Sequence, residues 1–399
     1  MAATISAWND ALKRVYASDN IVEQLYQENP FLDTLNKQTR YSPGETVRVV
    51  IHTQRGGGFT VLPDGGGTLN TAGNQGIAKA EYDYTHQHMP IAIQGDLIDS
   101  SDGNAKTVGE ALPAHVDGAL NDLRKQITRQ IFGNGDALIT ACRTSDSNNV
   151  DLNTTTGAQV LKRGWLHVGS IVDVGTTSAE DSDVDGGTIT AVDRANVAFT
   201  VSGGSEASDA TTDYVSYKDA RDGTTSYEAN GLRNIVSASA TLGGLTVAAQ
   251  DEWAAANVDT TAQALTISLI LQQIQEVEQR GGNPDFILTG LKQRRKLYEQ
   301  LQQQVRFDGD KGLKAGSVPE WNGLKLHSHP DCWDEDLYVG KMEHLFTVAA
   351  GKPYWPNKIT GGDILSWSQG TDAYVSKLTH RWNLGCDRRN AFARLGALT

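Results

Sequence analysis

The chain is poor in cysteine, lacks a long apolar run and carries too little basic charge to balance its acid. Cys142, Cys332 and Cys386 are three of 399 residues, far apart and odd in number. They fit reduced thiols of a cytosolic product better than a disulfide framework. No apolar run approaches the length that spans a bilayer, and the opening Met1-Ala2-Ala3-Thr4-Ile5-Ser6 has neither the basic nor the apolar region of a signal peptide. Asp and Glu number 48 against 35 Lys and Arg, a formal charge of −13. That balance argues against a protein that binds nucleic acid by neutralising phosphates. Neither glycine triplet, 56–58 or 65–67, leads into the Gly-Lys-Ser/Thr of a phosphate loop. A Gly-x-Ser-x-Gly elbow is also absent, and nothing marks a cysteine nucleophile. Carboxylate pairs for acid–base chemistry meet only in space and stay open at this stage.

What is present is a long glycine-laced arm running into one amphipathic helix. Thr46-Val47-Arg48-Val49-Val50-Ile51-His52 alternates in the manner of a strand. The arm loosens through Gly56-Gly57-Gly58 and Gly65-Gly66-Gly67, and the expected return strand runs from Tyr82 to Ile91. An isolated two-stranded ribbon is marginal in water, so the arm must lie on something else, and a neighbouring copy of the chain is the leading choice. Thr107-Val108-Gly109-Glu110 then has the form of a capping box. Leu112, Val116, Leu120, Leu123, Ile127 and Ile131 recur at helical spacing, with Asp117, Asn121, Asp122, Arg124, Lys125 and Arg129 on the other faces. The pattern predicts a helix over 107–132, about 39 Å long, stopped by Gly133-Asn134-Gly135 and open to a kink or a later start at Pro113.

Before the arm, residues 1–40 carry a weaker helical pattern around Trp8, Leu12 and Val15 and again at Ile21, Leu25 and Tyr26, broken at Asn29-Pro30. After the helix, 158–218 turns to short β runs separated by Gly, Asp and Ser, which predicts a small barrel or sandwich. Helical periodicity returns over 265–277, followed by a buried strand at Phe286-Ile287-Leu288, a cap at Thr289 and a second helix bearing Leu291, Leu297 and Leu301. The last part is β-rich again, chiefly at 337–340, 345–348 and 373–384.

Two clusters suggest metal. Asp181-Ser182-Asp183-Val184-Asp185-Gly186 matches the opening of a calcium loop, in which Asp181, Asp183 and Asp185 would converge. The closing position is Val192 where a Glu belongs, and the flanks read as strands, so a solvated acidic turn is the preferred reading. His327-Ser328-His329-Pro330-Asp331-Cys332 resembles half of a zinc set, with no second cluster to complete it. Arg388-Arg389 and the group Lys292, Arg294, Arg295 and Lys296 read as solvated faces or subunit salt bridges. No cofactor, membrane contact or active site is expected.

The order of these parts resembles the major capsid protein of tailed bacteriophages, the Hong Kong ninety-seven-like coat fold. The carriers are the loop at 41–95, the segment Leu120-Asn121-Asp122-Leu123-Arg124-Lys125-Gln126-Ile127 through Gly135, and Pro284-Asp285-Phe286-Ile287-Leu288-Thr289-Gly290 followed by a helix. Trp321-Asn322-Gly323-Leu324-Lys325-Leu326 with Leu337-Tyr338-Val339-Gly340, and the ending Arg388 to Leu395, add to it. The resemblance implies an α+β coat fold: an N-terminal arm (1–40), an extended hairpin loop (41–95), a spine helix with peripheral domain (96–154), an inserted β domain (155–220), a return to the peripheral domain (221–245), an apical α/β domain (246–360) and C-terminal peripheral strands (361–399). It also implies a homo-oligomeric shell of hexamers and pentamers around double-stranded DNA, built in the host cytoplasm and held in the virion. An acidic wall would not cling to packaged nucleic acid.

Scaffolding, portal or decoration proteins are the further partners that the family allows. The N-terminal segment is too short for a large internal scaffold, so a separate one, or none, is expected. Assembly contacts are expected from Phe59, Val61 and Leu62, with Gly56, Gly57 and Gly58 setting the bend of the arm. Lys79 is the one lysine between 41 and 95, and no Lys–Asn cross-link matches it. The alternatives are a cargo shell of the encapsulin type and an acidic α/β hydrolase with carboxylates scattered in sequence.

Overall fold

A computed structural model describes residues 35, 40–41, 46–94, 105–302 and 320–399, apart from short internal gaps, the longest at 177–181, 204–212 and 357–364. The segment expected to form an N-terminal arm therefore lies outside the described residues, except for Leu35 and Arg40.

The alternating run after Glu45 forms a hairpin of Thr46–Gln54 with Gly76–Asp83, Thr46 opposite Asp83, with an irregularity between His52 and Gln54. The expected return strand at 82–91 is thus corrected. The hairpin closes on 76–83, and beyond Tyr84 the chain changes partner. Thr85–Gln94 pairs antiparallel with Ala373–Cys386, from Thr85 opposite Trp382 to Gln94 opposite Ala373. The inward set slips by one residue at Tyr84–Thr85, from Ala80 and Tyr82 before it to Ile91 and Ile93 after it, so the side-chain pattern marks the exchange without naming the new partner. Leu345–Ala349 and Ser366–Ser368 pair along the other edge of the 373–386 strand, and Arg40–Tyr41 completes the five strands.

The long helix, Ala105–Ile131, crosses this sheet and is continuous through Pro113. At 27 residues it spans about 40 Å. Ala119, Leu123, Ile127 and Ile131, four residues apart, are buried on it, and Ala119 packs on Ile91 and Ile93. Arg129, expected on the polar face, is buried instead and ion-paired with Glu228.

Six strands then close a barrel in the order 213–217, 140–146, 149–152, 198–202, 182–193 and 171–176. The inserted β unit expected at 155–220 therefore begins at Thr140. Without Thr140–Asp146 and Asn149–Leu152 the remaining strands would leave two raw edges, which closure removes. Val150, Leu152, Val174, Phe199, Val201 and Val215 are all buried in it.

The third unit is a six-stranded sheet ordered 257–259, 392–395, 337–340, 286–289, 324–328 and 320–321. The Thr266 hydroxyl accepts from Leu269 N (3.3 Å) and starts the helix Ile267–Gln279, and the helix Leu291–Gln302 follows the central strand. Two strands cross the expected boundaries. Leu345–Ala349, placed with 246–360, pairs with 373–386, whereas Phe392–Leu395, placed with 361–399, lies between 257–259 and 337–340. The chain passes between the two sheets three times, first by way of the barrel, and one apolar cluster runs from the hairpin root through the barrel to Phe392.

Buried charge ties the units together. Asp336 is fully buried. It accepts from Arg233 Nε at 2.6 Å and Tyr338 Oη at 2.9 Å, and Arg394 Nε lies 3.4 Å away. Arg389, expected on a solvated face, is fully buried too. It donates to the carbonyls of Ile235 (2.9 Å), Trp253 (3.1 Å), Asn234 (3.2 Å) and Ser237 (2.9 Å). Asp336→Ala would take the buried carboxylate from the partly buried Arg233 and Arg394, leaving Arg233 only the longer contact with Glu335 (4.0 Å). The expected loss is about 3–5 kcal/mol of unfolding free energy, read by denaturant titration of the unassembled subunit.

Candidate assembly surface

The hairpin is rooted at one end and free at the other. At the root, the Tyr82 hydroxyl donates to Cys386 O (2.5 Å) and accepts from Cys386 N (3.2 Å). Its ring meets Phe346 edge-on at 5.8 Å, and the Arg40 guanidinium covers the Phe346 ring at 3.6 Å. Burial, with the nearby Cys386 thiol adding to it, pushes the Tyr82 pKa well up, so the hydroxyl stays a donor at any physiological pH. Ala80 lies against Gly243, where an added Cβ would come within 2.9 Å of the Ala80 methyl, and Glu81 N donates to Gly243 O at 2.9 Å. Asn383 Nδ2 donates to Asp83 O at 2.6 Å. Alternation then puts Val50 and Ile77 on the outer face, 64% and 69% exposed.

Beyond Gln54 the ladder ends, and the tip is held by a few local bonds. Gly73 N donates to Gly57 O (3.0 Å), Asn70 N to Thr60 Oγ1 (3.0 Å) and Asn70 Nδ2 to Phe59 O (3.2 Å). The predicted contact residues sit here at the surface: Phe59 is 89% exposed, Val61 79% and Leu62, the most covered, 39%. Leu69, at 73%, belongs with them. It was missed in the sequence, where its signal was being the one large apolar residue on the limb after Gly67. The three neck glycines differ. A Cβ at Gly56 would lie 2.8 Å from the Gln75 amide, Gly57 has open space, and Gly58 has φ +106°. The tightest approach is at Gly73, where a Cβ would be 2.4 Å from Gly57 N. Lys79 is exposed on the second strand, opposite Val50.

The other candidates lie elsewhere, and among the described residues no three His, Cys, Asp or Glu side chains gather as metal ligands. Asp181 is outside the described residues. Asp183 and the exposed Asp185 lie on the strand Ser182–Asp193. The turn there is set by Asp173, whose carboxylate accepts Gly186 N (2.7 Å) and Asp219 N (2.9 Å). His329 is buried, stacks on Phe132 at 5.0 Å and accepts Asp331 N on Nδ1 (3.0 Å). Burial, with Arg163 adding to it, pulls its pKa down to about 4, as suits a neutral packing residue. A cleft of about 410 Å3 separates Val50–Arg55 of the hairpin from Asp387–Asn390. The cationic side chains on its wall are largely committed. Arg389 is internally bonded, and Arg388 donates to Gly281 O (2.8 Å) and Asn390 Oδ1 (2.9 Å).

Residues 210–319 match a family model described as SU10 major capsid protein. Among solved structures, the chain is similar to the cyanophage A-1(L) capsid asymmetric unit, with a TM-score of 0.57, 15% identity and 96% of each chain covered. It is also similar to Microbacterium phage Oxtober96, with a TM-score of 0.46, 12% identity and 97% of each chain covered. The holo-SrpI encapsulin complex from Synechococcus elongatus gives a TM-score of 0.48 and 9% identity, over 100% of this chain and 96% of that one. No curated protein matches the sequence. The first of these likenesses gives the fold, that of a phage capsid subunit.

The unequal roles of the neck glycines are measurable. Gly73→Ala is expected to break the contact with Gly57 and speed amide hydrogen exchange across 57–73, whereas Gly57→Ala leaves exchange there unchanged. Equal effects would contradict this account of the neck.

Proposed function

We infer that this chain is the major capsid protein of a phage, a shell subunit that works by contact and not by chemistry. The observation that carries the mechanism is a hairpin rooted in its own subunit whose apolar tip is largely exposed among the described residues. In the shell, Phe59, Val61, Leu62 and Leu69 bury against an adjacent copy, and the free edges of the ribbon add backbone hydrogen bonds. Each contact is modest. Closure multiplies them, because every subunit holds several neighbours at once. The neck glycines let one arm take different bends at hexamer and pentamer positions of an icosahedral shell.

The shell encloses the double-stranded DNA of a tailed phage, without sequence-specific binding, and assembles in the host cytoplasm. Scaffolding, portal or decoration proteins would join it there. The barrel sits on the outer surface or bridges capsomers, and its Asp181–Gly187 turn tolerates substitution. A calcium role for Asp181, Asp183 and Asp185 remains the lesser proposal. The capsid fold and the match over 210–319 support this reading over the hydrolase. An encapsulin-type cargo shell is the second reading, since an encapsulin complex is among the similar structures. A copurifying cargo enzyme in place of DNA would favour it.

Deletion of 56–76 is expected to leave a folded subunit, by circular dichroism, that forms no shells by negative-stain electron microscopy. Normal particles from the deleted chain would contradict the arm's role.

A further inference from the structure

We propose that the face of the five-stranded sheet opposite the long helix is a docking surface for a carboxylate-bearing segment of a second copy of this chain. The inference rests on the shell reading and adds a contact that does not involve the apolar tip.

The long helix covers one face of the sheet, where Ala119 meets Ile91 and Ile93. The residues between those point the other way. On that second face His86 stands opposite Arg381, His88 opposite Thr379, and Pro90 opposite Lys377. His86, His88, Lys377 and Arg381 are all exposed. Cross-strand neighbours lie about 5 Å apart and alternate residues of one strand about 7 Å, so four basic side chains share one small block. Among the described residues neither Lys377 nor Arg381 forms an ion pair, whereas exposed arginines elsewhere do, as at Arg48–Glu81 (2.8 Å) and Arg143–Asp151 (3.5 Å).

One member of the block is held in place. His88 Nδ1 lies 3.1 Å from Thr379 Oγ1, which leaves Nε2 as the free ring nitrogen. Partial burial, then the charge of Lys377, His86 and Arg381, lowers the His88 pKa, so at neutral pH the charge of the block rests on Lys377 and Arg381. A carboxylate laid across the face would pair with them. The chain carries 48 Asp and Glu, and a shell brings those of its neighbours close at high effective concentration. A nucleic-acid partner fits less well, because a chain of net charge −13 repels a long polyanion, whereas a short acidic segment brings only a few charges.

The test uses full-length chain assembled into shells. Zero-length carbodiimide coupling, which joins lysine to carboxylate, is expected to link Lys377 to an Asp or Glu of another copy. Lys377→Glu with Arg381→Glu is expected to raise the concentration needed for assembly about tenfold, and high salt is expected to weaken wild-type assembly in the same direction. Should the double variant fail to fold, the cross-link decides. No inter-copy link at Lys377, or a double variant assembling like wild type, overturns the proposal. Shells that form normally but lose DNA also overturn it, in favour of a nucleic-acid contact. Wild-type chain that forms no shells under any condition would instead overturn the capsid reading itself.

Discussion

The Tyr82 hydroxyl, bonded to both the N–H and the carbonyl of Cys386, fixes the direction in which the hairpin leaves the body. A two-stranded ribbon cannot stabilise itself in water, and it cannot hold an angle unless one end is locked. Here the lock is buried and doubly hydrogen-bonded, and it is backed by the edge contact with Phe346. Gly243 lets the body backbone come close enough to bond Glu81 beside it. The root therefore behaves as part of the core, while the tip keeps only local bonds around Gly57 and Gly73. That division suits a subunit whose stability is settled before assembly and whose association is settled by what the tip meets.

The body is built to carry such an arm without yielding. Its two open sheets exchange strands, and the buried Asp336 and Arg389 hold charged contacts there, Asp336 with the partly buried Arg233 and Arg394 and Arg389 with backbone carbonyls. Charge is costly to bury, and hydrophobic residues in its place are often as stable. What the ionic joins add is direction, because each guanidinium accepts only one arrangement of carbonyls or carboxylate around it. The closed barrel meets the same need differently, by leaving no edge to pair with another chain.

Much of this was legible in the sequence where the signal was local. The long helix stands out because apolar residues recur every third or fourth position over several turns, and the projecting arm because glycine triplets interrupt a clear strand. The position of Phe59, Val61 and Leu62 on that arm, beyond the paired strands, was legible for the same reason. What was not legible depends on partners distant in sequence. The exchange at Tyr84 pairs residues about three hundred positions apart, and the one-residue slip in alternation there does not say which strand is the new partner. Thr140–Asp146 is polar enough to pass for a turn until barrel closure requires it. Phe392–Leu395 and Leu345–Ala349 are apolar runs that either sheet could accept. Arg389 and Arg129 looked solvated because charge in sequence does not disclose the carbonyls or the carboxylate that wait for it in the fold.

The central claim is that the arm projects because its partner is another copy of the chain. A cryo-electron microscopy map of assembled particles, at a resolution that traces residues 55–75, tests this most directly. The account predicts the tip lying on an adjacent subunit, with the rings and methyl groups of Phe59, Val61, Leu62 and Leu69 covered. Closed shells in which that segment folds back on its own subunit, or stands in solvent, would contradict it.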